Sequence, residues 1–218
     1  MTAPGGARAF FDAIAGRYER SYAPPAEESR ARMTRVLAEL PPAPARVLDL
    51  GVGTGRELSA LLDAGHAPTG VDVSAQMLAR CARRARPVAL VEADFWAPLP
   101  FADGAFDAVI ALHGTLAHPP DDAAIPALAA ELARVVRVDG VLVVEVPSPA
   151  WLDRAAGDAR VRRTGPATGV YADPATGASI ETRLLSREAW EAALAPGFIA
   201  RVEPRGDAEW LVVARRAR

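Results

Sequence analysis

The chain has 218 residues, 50% hydrophobic and 24% charged, which excludes a disordered or fibrous protein and fits one full globular domain with an embellishment. Its single cysteine, Cys81, excludes a disulfide framework or a cysteine-based zinc cluster and predicts a reducing, cytoplasmic setting. The 25 basic residues, all arginine, stand against 27 acidic ones, so a net charge of −2 favours neither nucleic acid nor a membrane as partner. With no lysine, Schiff-base and P-loop lysine chemistry is absent. No apolar run reaches bilayer length, and the segment from Met1 to Arg8 lacks the charged-then-apolar pattern of a secretory leader.

Phe10, Ile14, Tyr18 and Tyr22 recur every four residues and predict an N-terminal amphipathic helix ended by Pro24-Pro25. A second helix is predicted from Glu27 to Leu40, stopped by the proline-rich stretch that follows. Strands and helices then alternate. Strands are expected at Arg46–Leu50, Thr69–Val73, Val88–Glu92, Phe106–Leu112 and Val141–Val146. The helices between them run through Leu58 to Leu62, from Ser74 through Cys81, and from Ala123 to Val136. Strands apolar on both faces and alternating with helices predict a parallel sheet covered on both sides.

After Pro147 the pattern changes. Tyr171 to Leu185 reads as a hairpin closed by Gly177, Ser186 as the cap of a short helix, and Phe198–Glu203 with Trp210–Ala214 as a final hairpin. Arg160, Arg162 and Arg163 form a patch too short for a nucleic-acid tail and read as a solvated face, although Arg162 or Arg163 could hold a carboxylate.

Gly51-Val-Gly53-Thr-Gly55 follows the first predicted strand directly and precedes a helix, which lets a ligand approach the backbone closely. Asp72 ends the second strand about 20 residues on, where doubly wound folds bond a ribose diol. Asp94 stands just past the third strand, placed to accept from an adenine amino group. The spacing is G-x-G-x-G rather than G-x-G-x-x-G, residue 56 is Arg, and Asp49 immediately precedes the loop. A carboxylate there suits a cationic ligand end and repels a phosphate, so an adenosine carrying an ammonium or sulfonium group fits better than NAD.

In these motifs the chain resembles the class I S-adenosylmethionine-dependent methyltransferases, in particular the small-molecule branch that includes ubiquinone- and menaquinone-biosynthesis enzymes. The matching stretches are residues 11–18, 47–55, 70–78, 92–94, 99–109 and 132–143. The resemblance implies a three-layer Rossmann-like α/β sandwich. Its seven-stranded, mostly parallel sheet would have an antiparallel last strand, N-terminal helices and an inserted hairpin near 170–185. It implies a single domain, with a helical cap over 1–43, a cofactor-binding core over 44–146, a substrate-side insert over 147–186 and terminal elements over 187–218. The implied cofactor is S-adenosyl-L-methionine. Gly51 and Gly53, with Gly55, would lie under its methionine part, Asp49 would orient the ammonium and Asp72 the ribose. Val73, Met77, Asp94 and Phe95 would frame the adenine, main-chain atoms near Leu112 would face the methionine end, and Tyr18 or Tyr22 would close the site.

The segment Leu112-His-Gly-Thr-Leu-Ala-His118-Pro-Pro departs from the quinone-methylating pattern, so a quinone is not assigned and the expected acceptor is a metabolic or natural-product small molecule. His113, leaving the fourth strand, is the candidate general base; His118 reads as loop-shaping, and His66 sits on a distant turn. Trp96, Trp151 and Tyr171 are candidate aromatic walls. No metal, nucleic-acid or membrane partner is expected, and a homodimer is left open. The competing reading is a catalytically silent cofactor-binding protein that acts through a partner.

Overall fold

The computed structural model describes residues 6–218; the first five residues of the segment Met1–Arg8 lie outside the described residues. Seven strands form one sheet in the order β3-β2-β1-β4-β5-β10-β9, with β1 at Arg46–Leu50, β2 at Ala67–Asp72, β3 at Ala89–Glu92, β4 at Phe106–Ala111, β5 at Val136–Pro147, β9 at Phe198–Arg205 and β10 at Glu209–Arg216. Strands β1 to β5 pair in parallel, and β10 runs antiparallel to both β5 and β9. The last strand in the chain is thus the reversed one, as expected.

The sheet is apolar on both faces because side chains alternate along each strand. Val47, Ala108, Ile110 and Val143 pack with Met33 and Val36 of helix α3 (Ala26–Glu39) and Leu61 of α4 (Leu58–Asp63). Leu48, Leu50, Val109 and Val144 pack instead with Leu128 and Leu132 of α6 (Ala124–Val135) and Trp190 of α8 (Arg187–Leu194). Helix α5 (Ala75–Arg84) starts at Ser74, whose hydroxyl accepts from the Met77 amide at 3.1 Å and donates to Asp12 at 2.6 Å. Ser186 caps α8 in the same manner, accepting from the Ala189 amide.

Three local readings change. The N-terminal helix is two helices, α1 (Ala7–Ile14) and α2 (Tyr18–Tyr22), joined by a 3-10 turn over Ala15–Arg17. Gly16, a poor helix former, sits inside that turn. Strand β5 begins five residues before Val141: Phe106 pairs with Val136, the register slips, and Ala108 pairs with Val141 across a bulge where Asp139 has φ +62°. The insert is richer than one hairpin. It holds α7 (Ala150–Arg154) and a second, three-stranded sheet of β6 (Val161–Arg163), β7 (Thr168–Ala172) and β8 (Ser179–Arg183). Strand β6 is only three residues long and mostly arginine, so periodicity had little to detect.

Candidate active site

The strand order reverses between β1 and β4, and crevices at such switch points are where open α/β sheets hold ligands. A cleft of about 400 Å³ lies there, floored by the loop after β1 and roofed by α1, α2 and the insert. Gly51 takes φ +66°, and a Cβ on it would stand 2.5 Å from the Thr115 side chain. Gly53 takes φ +53° and its Cβ position meets no side chain, so the floor there is bare backbone.

Asp72 holds that loop in shape. One carboxylate oxygen accepts from the Gly53 amide and the other from the Ser74 amide, both at 2.8 Å. Burial pushes its pKa up while the two N–H groups pull it back. Val73, Met77, Asp94 and Phe95 line the same end of the cleft. Asp94 accepts from the Trp96 amide at 3.0 Å, which leaves its second oxygen without a protein partner among the described residues.

Asp49 is 2% exposed, and its Oδ2 has no hydrogen-bond partner among the described residues. Burial, then the nearby carboxylates of Glu57 and Asp72, hold its pKa well above the ordinary carboxylate range. With Leu112, Tyr18, Gly51 and Gly53 it lines a small cavity of about 30 Å³ beneath the loop. Asp49 and Glu57 line it, with Asp72 acting on Asp49 from the cleft side; of the basic groups on its lining, Arg56 is bonded to Glu19 at 3.0 Å and His113 to Glu57 at 2.7 Å. The charge chemistry is that of a cation-binding recess.

Gly55 departs from expectation. It lines neither cavity; its Cβ position faces Cys81 Sγ at 2.6 Å and Leu58 at 3.0 Å, so it serves the packing of the loop on α5. Burial pushes the Cys81 thiol up to about 11, which keeps it unreactive.

His113 leaves β4 with φ +56°, a conformation costly for a non-glycine residue, and Gly114 follows at +77°. Its Nε2 donates to Glu57 Oε1 at 2.7 Å. Sequence reasoning missed Glu57; its position two residues after the glycine loop was the available signal. His118 lies five residues on, with Nδ1 2.8 Å from the Glu181 carbonyl oxygen, and burial lowers its pKa. His66 is on the turn before β2 and lines no part of the cleft.

The roof is aromatic and its charges are paired. Trp96, Trp151 and Tyr171 all line the cleft. Arg160, not Arg162 or Arg163, is the insert arginine that reaches it, bonded to Asp158 at 2.6 Å with its guanidinium 6.0 Å from the Tyr171 ring. Arg163 pairs with Asp153 on the surface. The cap is fastened to the insert at Asp173, 1% exposed, which accepts from Arg17 at 2.7 Å and from the Tyr22 hydroxyl at 2.5 Å. Burial raises the Asp173 pKa, but its bonds from Tyr22 and Thr176 and the charge of Arg17 outweigh that and hold it below the ordinary value. Tyr171 donates to the Tyr22 hydroxyl at 3.2 Å. Nothing in the sequence around Asp173 beyond its Asp-Pro turn pointed to this junction.

Residues 47–140 match the family described as a methyltransferase domain. A demethylmenaquinone methyltransferase of Beutenbergia cavernae is 41% identical over 107 residues, covering 49% of this chain and 42% of that protein. An 18S rRNA (guanine-N(7))-methyltransferase of Bos taurus is 38% identical over 69 residues, 32% of this chain and 25% of that one. The chain thus spans less than half the length of these two relatives. The crystal structure of the PH0226 protein of Pyrococcus horikoshii superposes with a TM-score of 0.76 at 21% identity, covering 92% of this chain and 98% of that one, a likeness of fold. Residues 47–140 are thus similar to a methyltransferase domain, and the sheet order and motifs resemble those of the class I S-adenosylmethionine-dependent methyltransferases.

Proposed function

We propose that the protein binds S-adenosyl-L-methionine in the switch-point cleft and methylates a small molecule held beneath the insert. The single observation that carries this reading is the buried, unpartnered Asp49 carboxylate beside Glu57 and Asp72. A dinucleotide phosphate would be repelled there, whereas an amino-acid ammonium would supply the missing cation and donors. In this reading Asp49 and Leu112 hold the ammonium end and Asp72 the ribose hydroxyls. Asp94 takes the adenine amino group, with Val73, Met77 and Phe95 packing the ring and Tyr18 and Tyr22 closing over it. When bound, the cofactor supplies an electrophilic methyl group on a sulfonium sulfur.

The chain's own part is to orient and to exclude water. The Asp173 junction holds the described part of the helical cap, residues 6–43, down on the insert of residues 147–186, and the aromatic roof desolvates the acceptor end. His113, fixed by Glu57, forms the wall between the recess under the loop and the acceptor end; as a proton acceptor it would have to act through Nδ1. A small acceptor rather than RNA is supported by the enclosure and by the carboxylate partners that Arg160 at the roof and Arg163 on the surface already have. Calorimetric titration with S-adenosylmethionine and with NAD is the test. Binding of the first alone is the expected outcome, and tight NAD binding would contradict the reading. Isotopic methyl labelling of cell extract then separates an active enzyme from a silent binder.

A further inference from the structure

His118 lines the cleft together with Trp151, Tyr171, Ile180 and Thr182, directly after the short 3-10 turn (Thr115–Ala117) that follows β4. Its Nδ1 lies 2.8 Å from the Glu181 main-chain oxygen. A carbonyl can only accept, so Nδ1 must carry the proton. In the neutral ring the Nε2 lone pair is then the free one, and Nε2 has no hydrogen-bond partner among the described residues. The other cleft imidazole is different: His113 Nε2 is committed to Glu57. Phe11 meets the His118 ring edge-on at 6.2 Å, and Pro119-Pro120 stiffens the chain behind it.

The geometry points to His118 Nε2 as the group that takes the acceptor's proton, and so to an acceptor that is a planar phenol or enol. This inference rests on the proposed methyl-transfer reading. As the acceptor oxygen forms its bond to the methyl carbon, its O–H proton passes to Nε2. The carbon–sulfur bond breaks with its electron pair staying on sulfur, and the resulting imidazolium returns its proton to water. Two features select the acceptor. Phe11 packs edge-on against the imidazole and Trp151 and Tyr171 line the same cleft, which suits a flat ring. Burial weakens the imidazole as a base, which matches a hydroxyl of phenolic acidity, about 10 as for tyrosine, better than an aliphatic alcohol. An amine acceptor would carry its own lone pair and leave this one without a task.

The titratable and charged groups facing the same cleft are Tyr18 and Tyr22 from the cap, Asp72 and Asp94 at the far end, His113 beside β4, and Tyr171 and Arg160 from the insert. Arg160 is neutralised by Asp158, and Glu181 turns its carboxylate toward Arg183 at 4.0 Å. Protonation of His118 below its lowered pKa removes the lone pair, so turnover of a hydroxyl acceptor should rise with pH as the ring titrates.

The test has three readouts on the intact protein. Nitrogen-15 correlation spectra of the wild type should show His118 as the Nδ1–H tautomer; the Nε2–H tautomer would overturn the inference without any variant having to fold. Single-turnover assays with labelled S-adenosylmethionine should label members of a panel of phenols and enols in preference to amines. His118→Gln should cut that turnover by ~10²–10⁴, with S-adenosylmethionine affinity within a few-fold of wild type and the pH dependence lost. Full turnover of phenols by His118→Gln, or labelling confined to amines, would overturn it. If the wild type failed to bind S-adenosylmethionine, the methyl-transfer reading itself would fall, and that result is distinct from either of these.

Discussion

The two ends of the cleft treat charge in opposite ways. Beneath the glycine loop, Asp49 is buried with an oxygen unpartnered and two further carboxylates press on it. At the roof each charged group that reaches the cleft or the cap junction is matched: Arg160 with Asp158, Arg17 with Asp173. A buried charge left unpaired costs folding free energy and persists where a ligand completes it, whereas paired charges and aromatic rings select by shape. In the proposed reading the loop end recognises its ligand by charge, and the roof end by fit and a single imidazole lone pair.

The largest effect should come from the loop end. Asp72→Ala removes the proposed ribose acceptor and also frees the Gly53 and Ser74 amides that shape the floor. Calorimetry should show S-adenosylmethionine affinity reduced by about ten- to hundredfold, or ~1.5–3 kcal/mol. Unchanged affinity would remove Asp72 from the site.

A smaller effect is expected where cap meets roof. Asp173→Asn keeps the shape but loses the charge on Arg17 and Tyr22, and should lower stability by about 1–2 kcal/mol while speeding cofactor release in stopped-flow traces. Because the native pKa of Asp173 is depressed, its contribution is present above the ordinary carboxylate pKa and is lost as pH falls through the native value. Denaturant midpoints of wild type and variant should thus converge in acid.

Asp49 should show the reverse sign with a smaller size. Its native pKa is raised, so the folded form binds more protons than the unfolded one, and stability falls as pH rises from the ordinary carboxylate value upward. Asp49→Asn should therefore melt slightly higher than wild type at neutral pH, with the gap closing in acid. A variant that melts lower at neutral pH would mean the carboxylate already has a cationic partner in the unliganded protein. Chelation should have no effect on turnover, the smallest outcome of the series.

The same contrast explains what could be read from the residues. The alternation of apolar strands and helices, the glycine loop and the acidic residues at strand ends are local patterns, and the sheet from Arg46 to Pro147 follows them closely. The interruption at Gly16 and the bulge at Asp139 are single-residue events inside longer periodic runs. The insert was least legible, since α7 and β6 are too short for periodicity and owe their place to pairing with β7 and to packing of Leu152 against the main core. Glu57 and Asp173 could not be paired with His113 and Tyr22 from sequence, because those contacts join residues 56 and 151 positions apart. The same distance hid the Glu181 carbonyl that fixes the His118 tautomer, 63 positions away.

The claim that Asp49 waits for a cation is tested most directly by a two-ligand, two-protein comparison. S-adenosylhomocysteine and its analogue lacking the amino group would be titrated calorimetrically into wild type and Asp49→Asn. The wild type should prefer the amino-bearing ligand by about ten- to hundredfold, as befits a hydrogen-bonded charge pair, and the variant should lose most of that preference. An equal preference in both proteins would contradict the account, because the ammonium would then be held by something other than Asp49.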